Sequence, residues 1–296
     1  MMAARRGLGG SPSLGAGFKT LAVSKARGVS LIELNRPRKK NAFDVDMYHE
    51  LQTALRDASE DPSVRVALLT GRGDYYSSGN DLSNFSQLMH PLTTARRSKE
   101  ILLNFVDAFI EMKKPLVCAV NGPAIGIAVT TLGLCDVVLA SSTATFRTPF
   151  AELHQSPEGH YAAQCSRVYY HVLYLGCSSF TFPRIMGPEM AEKVLWKGVK
   201  LSAEEALQYR LVHEVCSPDN LLASAMLRCE QLAAMPPCSP ELQRKIVTEG
   251  LVDKLKKVNV EECDILEKKW VSKECFAALA AYLSSRNMHV AAFVLR

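Results

Sequence analysis

The chain has 296 residues, 48% of them hydrophobic and 22% charged, which is enough apolar material for a large core and excludes a mostly disordered polymer. One large domain, or a domain with an appendage, fits that length. The net charge of +5 is mild and its Lys and Arg are scattered, which suits a small polyanionic ligand and excludes a nucleic-acid surface. No window is long and apolar enough for stable membrane insertion.

Residues 1–32 contain no acid, and Arg5, Arg6, Lys19, Lys25 and Arg27 lie among frequent Ser and Gly. Two readings stand for residues 1–18: a mitochondrial transit peptide, or a flexible Gly/Ser-rich leader. Residues 29–34 alternate as a strand that Asn35-Arg36-Pro37 ends. Asp44 is placed to cap a helix over 45–59, whose Met47, Leu51 and Leu55 recur every four residues. Residues 64–70 read as a buried strand, turned by Gly71-Arg72-Gly73-Asp74. A helix over 98–113 gathers Ile101, Phe105, Phe109 and Ile110 on one face.

Pro115 opens a second buried strand, 116–120, closed by Asn121-Gly122-Pro123. A helix over 126–134 and a strand over 137–140 follow. This alternation continues to about residue 215 and predicts an α/β core, 19–218, with mainly parallel pairing. From Asp219 the patterning is helical only, including 252–269 and 273–284, so 219–296 forms a C-terminal helical region. The nine cysteines show no CxxC pair and no Cys/His metal spacing, and several sit in apolar runs, which predicts buried, reduced thiols and no metal site.

Two segments carry chemistry: Tyr75-Tyr76-Ser77-Ser78-Gly79-Asn80-Asp81-Leu82, and Val120-Asn121-Gly122-Pro123-Ala124-Ile125-Gly126-Ile127-Ala128. Each sets small residues and free backbone amides after a buried strand, where a ligand can approach the main chain. With Asn35-Arg36-Pro37, Asn41-Ala42, Cys135-Asp136 and Thr145-Phe146 in order, residues 19–286 resemble the crotonase (enoyl-CoA hydratase/isomerase) superfamily. Gly73 to Asp81 and Gln155-Ser156-Pro157-Glu158-Gly159 are most similar to its peroxisomal Δ3,Δ2-enoyl-CoA isomerases.

The resemblance implies a spiral of ββα units, a homotrimer packed through the helical C-terminal region, an acyl-CoA thioester as ligand, and no cofactor, coenzyme A being part of the substrate. It implies an oxyanion hole from the backbone amides of Ser78, just before Gly79, and Ile127, just after Gly126. Two such donors hold the thioester oxygen as negative charge builds, each contributing about 2.7–4 kcal/mol. Gly79, Asn80, Asp81, Leu82 and Gly126 line that site by the same resemblance. The two glutamates of the family's hydratases correspond to Thr130 and Phe150, neither of which can take a proton. Glu158 then stands where the isomerases keep their base, with Glu152 as a second carboxylate nearby. His154 and His160 read as loop histidines. Arg36, Arg38, Lys39 and Lys40 face either the CoA phosphates or solvent, and Lys254, Lys256 and Lys257 carry the same pair of readings.

The sequence departs from that subgroup in two places. Residues 160–176, rich in tyrosine, form an apparent insertion between the Pro-Glu-Gly turn and Cys177-Ser178, and Cys165-Ser166 locally imitates the latter pair. The chain also ends Ala292-Phe293-Val294-Leu295-Arg296, without a Ser-Lys-Leu type peroxisomal signal. The expectation is an isomerase shifting a 3-enoyl-CoA double bond to the 2-trans position in β-oxidation, in the peroxisomal or mitochondrial matrix. The alternatives are a catalytically impaired paralogue or splice form that only oligomerises, and a 2-enoyl-CoA hydratase.

Overall fold

The computed structural model describes residues 17–85, 91–150, 175–236 and 250–273. Its frame is a six-stranded sheet in the order β1-β2-β3-β4-β6-β9. The strands are β1 (Leu21–Ala26), β2 (Val29–Leu34), β3 (Val66–Gly71), β4 (Leu116–Val120), β6 (Val137–Ser141) and β9 (Glu214–Cys216). Pairing is parallel from β2 to β9, and only β1 runs antiparallel to β2. A small second sheet joins β5 (Ala124–Ile125), β7 (Thr145–Arg147) and β8 (Leu201–Ser202).

The buried strands expected around 64–70, 116–120 and 137–140 are β3, β4 and β6. Their near-continuous apolar runs follow from cover on both faces. Ile32, Leu34, Ala67, Leu69, Leu116, Cys118 and Val120 point into the larger core, and their alternating neighbours Leu31, Val66, Leu68, Val117 and Ala119 into the smaller. The helix α7 (Leu221–Ala233) closes the smaller core with Leu221, Ala225 and Cys229. Strand β1 was not expected from the pattern. It lies at the sheet edge with Lys25 and Ala26 exposed, so its alternation is weak, and it is joined to β2 by Arg27 and Gly28 at φ 50° and 76°, the hand that suits a tight hairpin.

On the larger core lie α1 (Val45–Glu60) and α2 (Pro91–Ile110). Asp44 caps α1 as expected, its carboxylate accepting from the Met47 amide at 2.9 Å. Helix α2 begins earlier than the expected residue 98 and ends before 113. Its first turns are polar and show no apolar period, while Pro91 at the first position suits a helix start. The expected helix over 126–134 is half α-helix, α3 (Ile127–Thr130), continued by a 3-10 turn, Thr131–Leu134. The chain then forms α4 (Ser178–Met186), α5 (Pro188–Leu195), α6 (Ala203–Gln208), α7 and α8 (Leu251–Trp270). The helical pattern over 274–284 lies outside the described residues.

Helix α8 packs along α2. Lys99 bridges Asp264 at 2.5 Å and Glu267 at 2.9 Å, and the Asn259 amide donates to the Leu103 carbonyl and the Asp107 carboxylate. Cys118, Cys135, Cys177, Cys216, Cys229 and Cys263 are free thiols, five of them buried, as the sequence predicts; Cys165, Cys238 and Cys275 lie outside the described residues.

Between α1 and α2, Phe105 is fully buried, 5.0 Å from the Tyr48 ring, 5.7 Å from Phe43 and 5.2 Å from Phe109. Phe105→Ala is expected to cost about 3–5 kcal/mol in urea unfolding, the range for emptying an aromatic site that cannot collapse.

Candidate active site

The first motif leaves β3 and the second leaves β4, so parallel pairing delivers both to the same sheet end. There they pair with each other. The Ile125 amide donates to the Ser77 carbonyl at 3.0 Å, and the Ser77 amide to the Pro123 carbonyl at 3.3 Å. The contact requires glycine at 79: φ is 81°, and a Cβ there would stand 2.6 Å from the Ile125 carbonyl oxygen. Gly122 is tighter still, since a Cβ would meet the Asp74 carbonyl oxygen at 2.0 Å.

Four amides of the first motif, those of Ser77, Ser78, Gly79 and Asp81, are engaged. Gly79 N–H donates to Ser77 Oγ at 3.0 Å, and the Asp81 amide to the Phe43 carbonyl at 2.9 Å. The Ser78 amide donates to the Lys40 carbonyl at 2.9 Å, and this corrects the expectation that Ser78 supplies an oxyanion donor. Asn80 differs: its amide has no hydrogen-bond partner among the described residues. Its side chain is held instead, Oδ1 accepting from Tyr48 Oη at 3.3 Å and Asn84 Nδ2 at 2.9 Å. The Asn84 amide group also donates to the Phe43 carbonyl. The motif therefore holds Asn80 by its side-chain oxygen and leaves its main-chain N–H without a partner among the described residues.

The second motif does the same at a helix start. Gly126 adopts φ 61° and ψ −124°, a conformation open to glycine, and anchors its own amide on the Arg147 carbonyl at 2.8 Å. Its carbonyl receives the Val129 and Thr130 amides, which leaves Ile127 as the first helical residue, its N–H outside the helix ladder. A Cβ at Gly126 would meet nothing within 4 Å among the described residues. The hydroxyls of Thr130 and Thr131 both donate to the Ile127 carbonyl, at 3.3 and 2.9 Å.

The basic run divides. Arg36 is mostly buried and bridges Asp44 at 2.9 Å and Asp81 at 3.1 Å while donating to the Ala42 carbonyl, so it braces the first motif and is unavailable to a phosphate. Burial alone would raise the Asp81 carboxyl; hydrogen bonds from Ser83 and the Arg36 guanidinium outweigh it and hold the group below its ordinary value. Arg38, Lys39 and Lys40 are exposed, with Lys40 Nζ 4.9 Å from the Tyr75 ring centroid.

Neither hydratase-type position carries a carboxylate: Thr130 is buried in α3, and Phe150 is buried beyond β7. Glu158, Glu152, His154, His160 and the Cys165-Ser166 pair lie outside the described residues, as does most of the apparent insertion. Its last residues, Leu175 and Gly176, are buried and lead into Cys177, which precedes α4. Asn41, unassigned in the sequence reading, is fully buried and ties the motif's flanks together: its Nδ2 donates to the Arg72 and Tyr75 carbonyls, and its Oδ1 accepts from the Arg36 amide. A lone Asn beside a Pro-containing turn carries too little pattern to reveal that bracing.

The profile of the family described as Enoyl-CoA hydratase/isomerase matches residues 24–291. Enoyl-CoA delta isomerase 2 of Homo sapiens is 43% identical over 274 residues, 92% of this chain and 65% of that protein; this chain thus spans just under two thirds of that relative. Enoyl-CoA delta isomerase 3, peroxisomal, of Mus musculus is 39% identical over 269 residues, 90% of this chain and 78% of that protein. Among solved structures, an enoyl-CoA hydratase/isomerase from Pseudoalteromonas atlantica T6c superposes with a TM-score of 0.78 at 31% identity, covering 92% of this chain and all of that one. The layered α/β arrangement described above is therefore the crotonase fold.

The two glycines make separable predictions. Gly79→Ala introduces both a left-handed backbone penalty and a clash with Ile125, whereas Gly126→Ala introduces the backbone penalty alone. Urea unfolding is expected to show a loss of about 1–3 kcal/mol for Gly126→Ala and a larger loss for Gly79→Ala. The reverse order would contradict the packing assigned to residue 79.

Proposed function

Since the chain belongs to the enoyl-CoA hydratase/isomerase family, we propose that it is an enoyl-CoA isomerase that shifts a 3-enoyl-CoA double bond to the 2-trans position. The observation that carries this reading is a pair of main-chain amides, Asn80 and Ile127, that have no hydrogen-bond partner among the described residues, on two motifs locked together by the Ser77–Ile125 hydrogen bond. Both belong to braced segments, so donors aimed at a thioester oxygen need no reorganisation as charge develops.

Glu158 is the base of this proposal. Its carboxylate takes a proton from C2; the C–H electron pair delocalises through C3=C4 and the thioester, placing negative charge on the carbonyl oxygen in the hole. The resulting carboxylic acid then delivers the proton to C4, the C3=C4 double bond is lost and C2=C3 forms. A glutamate desolvated beside an acyl chain has a raised pKa, which suits a group that must act first as base and then as acid. Hydration would need groups to orient and activate a water, and Thr130 and Phe150 cannot. No cofactor enters the scheme, and the substrate brings its own coenzyme A. Lys39 and Lys40, exposed beside the first motif, are the proposed contacts for its phosphates.

Assembly as a homotrimer through the C-terminal helices, and residence in the peroxisomal or mitochondrial matrix, complete the reading. The first rests on the resemblance, and the second on the resemblance together with the name of the mouse relative.

Purified protein supplied with a 3-enoyl-CoA is expected to form 2-trans-enoyl-CoA, and Glu158→Gln to lower that rate by about 10²–10⁴-fold. Undiminished turnover in the variant moves the base elsewhere, with Glu152 next. No product from a normally assembled wild-type protein instead identifies a catalytically silent form.

A further inference from the structure

Glu262 of α8 is 4% exposed, on the stripe that also buries Leu255, Val258, Cys263 and Leu266. A carboxylate has no reason to occupy such a position unless its oxygens are engaged. They are: one accepts from the Cys177 amide at 2.9 Å and the other from the Ser179 amide at 3.0 Å. These are groups that the start of α4 leaves without helical partners, and negative charge there also meets the positive end of the helix. Cys177 itself is in the left-handed region at φ 60°, and its thiol donates to the Leu255 carbonyl at 3.3 Å, a second tie to α8.

The turn held in this way abuts the helix bearing Ile127. A Cβ at Gly176, φ 67°, would stand 2.9 Å from Thr130 Oγ1 and 3.3 Å from the Thr131 amide nitrogen. One helical turn further, a Cβ at Gly133 would stand 2.6 Å from Thr181 Oγ1 of α4. Thr130 and Thr131 in turn bond the Ile127 carbonyl. Contact is thus continuous from Glu262, through Cys177 and Gly176, to Thr130, Thr131 and Ile127.

We propose that Glu262 is a positioning residue: by clamping the first turn of α4 against α8, it sets the seat of α3 and so the aim of the Ile127 amide. This rests on the isomerase reading for its catalytic consequence, though not for its structural one. Burial pushes the Glu262 carboxyl up to about 7; hydrogen bonds from Ser179 and Cys177 oppose that rise and Glu261 adds to it. The other titratable groups around the clamp are Cys177 at the cap of α4, Asp107 and Lys99 of α2, and Cys263 and Asp264 of α8. Because the folded-state value is raised from 4.5, the pH-dependent part of the contribution of Glu262 to stability is complete below about pH 4.5 and lost as pH rises through about 7. Above that pH the clamp is fully ionised and its two hydrogen bonds are charge-assisted.

The test compares wild type with Glu262→Gln, whose amide offers one acceptor where two donors point. Hydrogen exchange at pH 8 is expected to accelerate about 10-fold at residues 128–134, the scale of one lost hydrogen bond to a charged group, while β3 and β4 keep their protection. With 3-enoyl-CoA, kcat is expected to fall about 10-fold or more with KM within about twofold, as for a displaced transition-state donor. Wild type is also expected to lose stability relative to the variant between pH 5 and 7, since the neutral amide does not titrate. Unchanged exchange at 128–134 overturns the proposal. A wild type that turns over no 3-enoyl-CoA overturns the isomerase reading instead, and the exchange comparison still decides the clamp. If Glu262→Gln does not fold, Gly176→Ala presses on Thr130 directly; faster exchange at 128–134 with α8 still protected supports the relay, and full protection there overturns it.

Discussion

Everything at this site depends on one backbone contact, the approach of Gly79 to the Ile125–Gly126 peptide. Two parallel strands carry their loops to the same sheet end, but parallel pairing alone leaves such loops free to splay. The short ladder through Ser77, Ala124 and Ile125 removes that freedom, and it forms only because residue 79 has no side chain. Once the loops are locked, the remaining polar groups sort themselves. Ser77 Oγ takes the Gly79 amide, Lys40 takes the Ser78 amide and Phe43 takes the Asp81 amide. What remains for a ligand is decided by what the fold does not use.

Bracing is correspondingly dense around the first motif. Arg36 reaches two carboxylates and a carbonyl with one planar guanidinium, a geometry that a lysine ammonium cannot reproduce. Because Asp44 is at once the cap of α1 and a partner of Arg36, the helix start and the loop share a fastening. The second motif is held from the opposite side, by α4 and, behind it, α8. The site thus sits between an N-terminal ionic brace and a C-terminal buried carboxylate, and elements distant in the chain converge on it.

Much of this was legible in the sequence. Strands β2, β3 and β4 announce themselves by apolar runs between turn residues, α1 by its cap and four-residue spacing, and the two motifs by their small residues. The unread elements share a physical reason. Strands β5, β7 and β8 span two or three residues each, too short for any period, and β1 is a half-exposed edge. That the Ser78 amide is engaged was illegible because it turns on the Lys40 carbonyl, a main-chain acceptor brought in by tertiary folding. Glu262 left a faint trace, one acid on the apolar stripe of α8. Its partners, the Cys177 and Ser179 amides, carry no side-chain signature at all.

That Asn80 and Ile127 offer main-chain amides to the proposed site has a consequence for how such a protein drifts over generations. Substitution at either residue leaves an amide in place, so the side chains there are freer to vary than the backbone that presents them. The constraint falls on their neighbours Gly79, Gly122 and Gly126, where space or backbone conformation allows no alternative. A mutational scan of this chain would therefore draw the outline of its chemistry in the residues beside it.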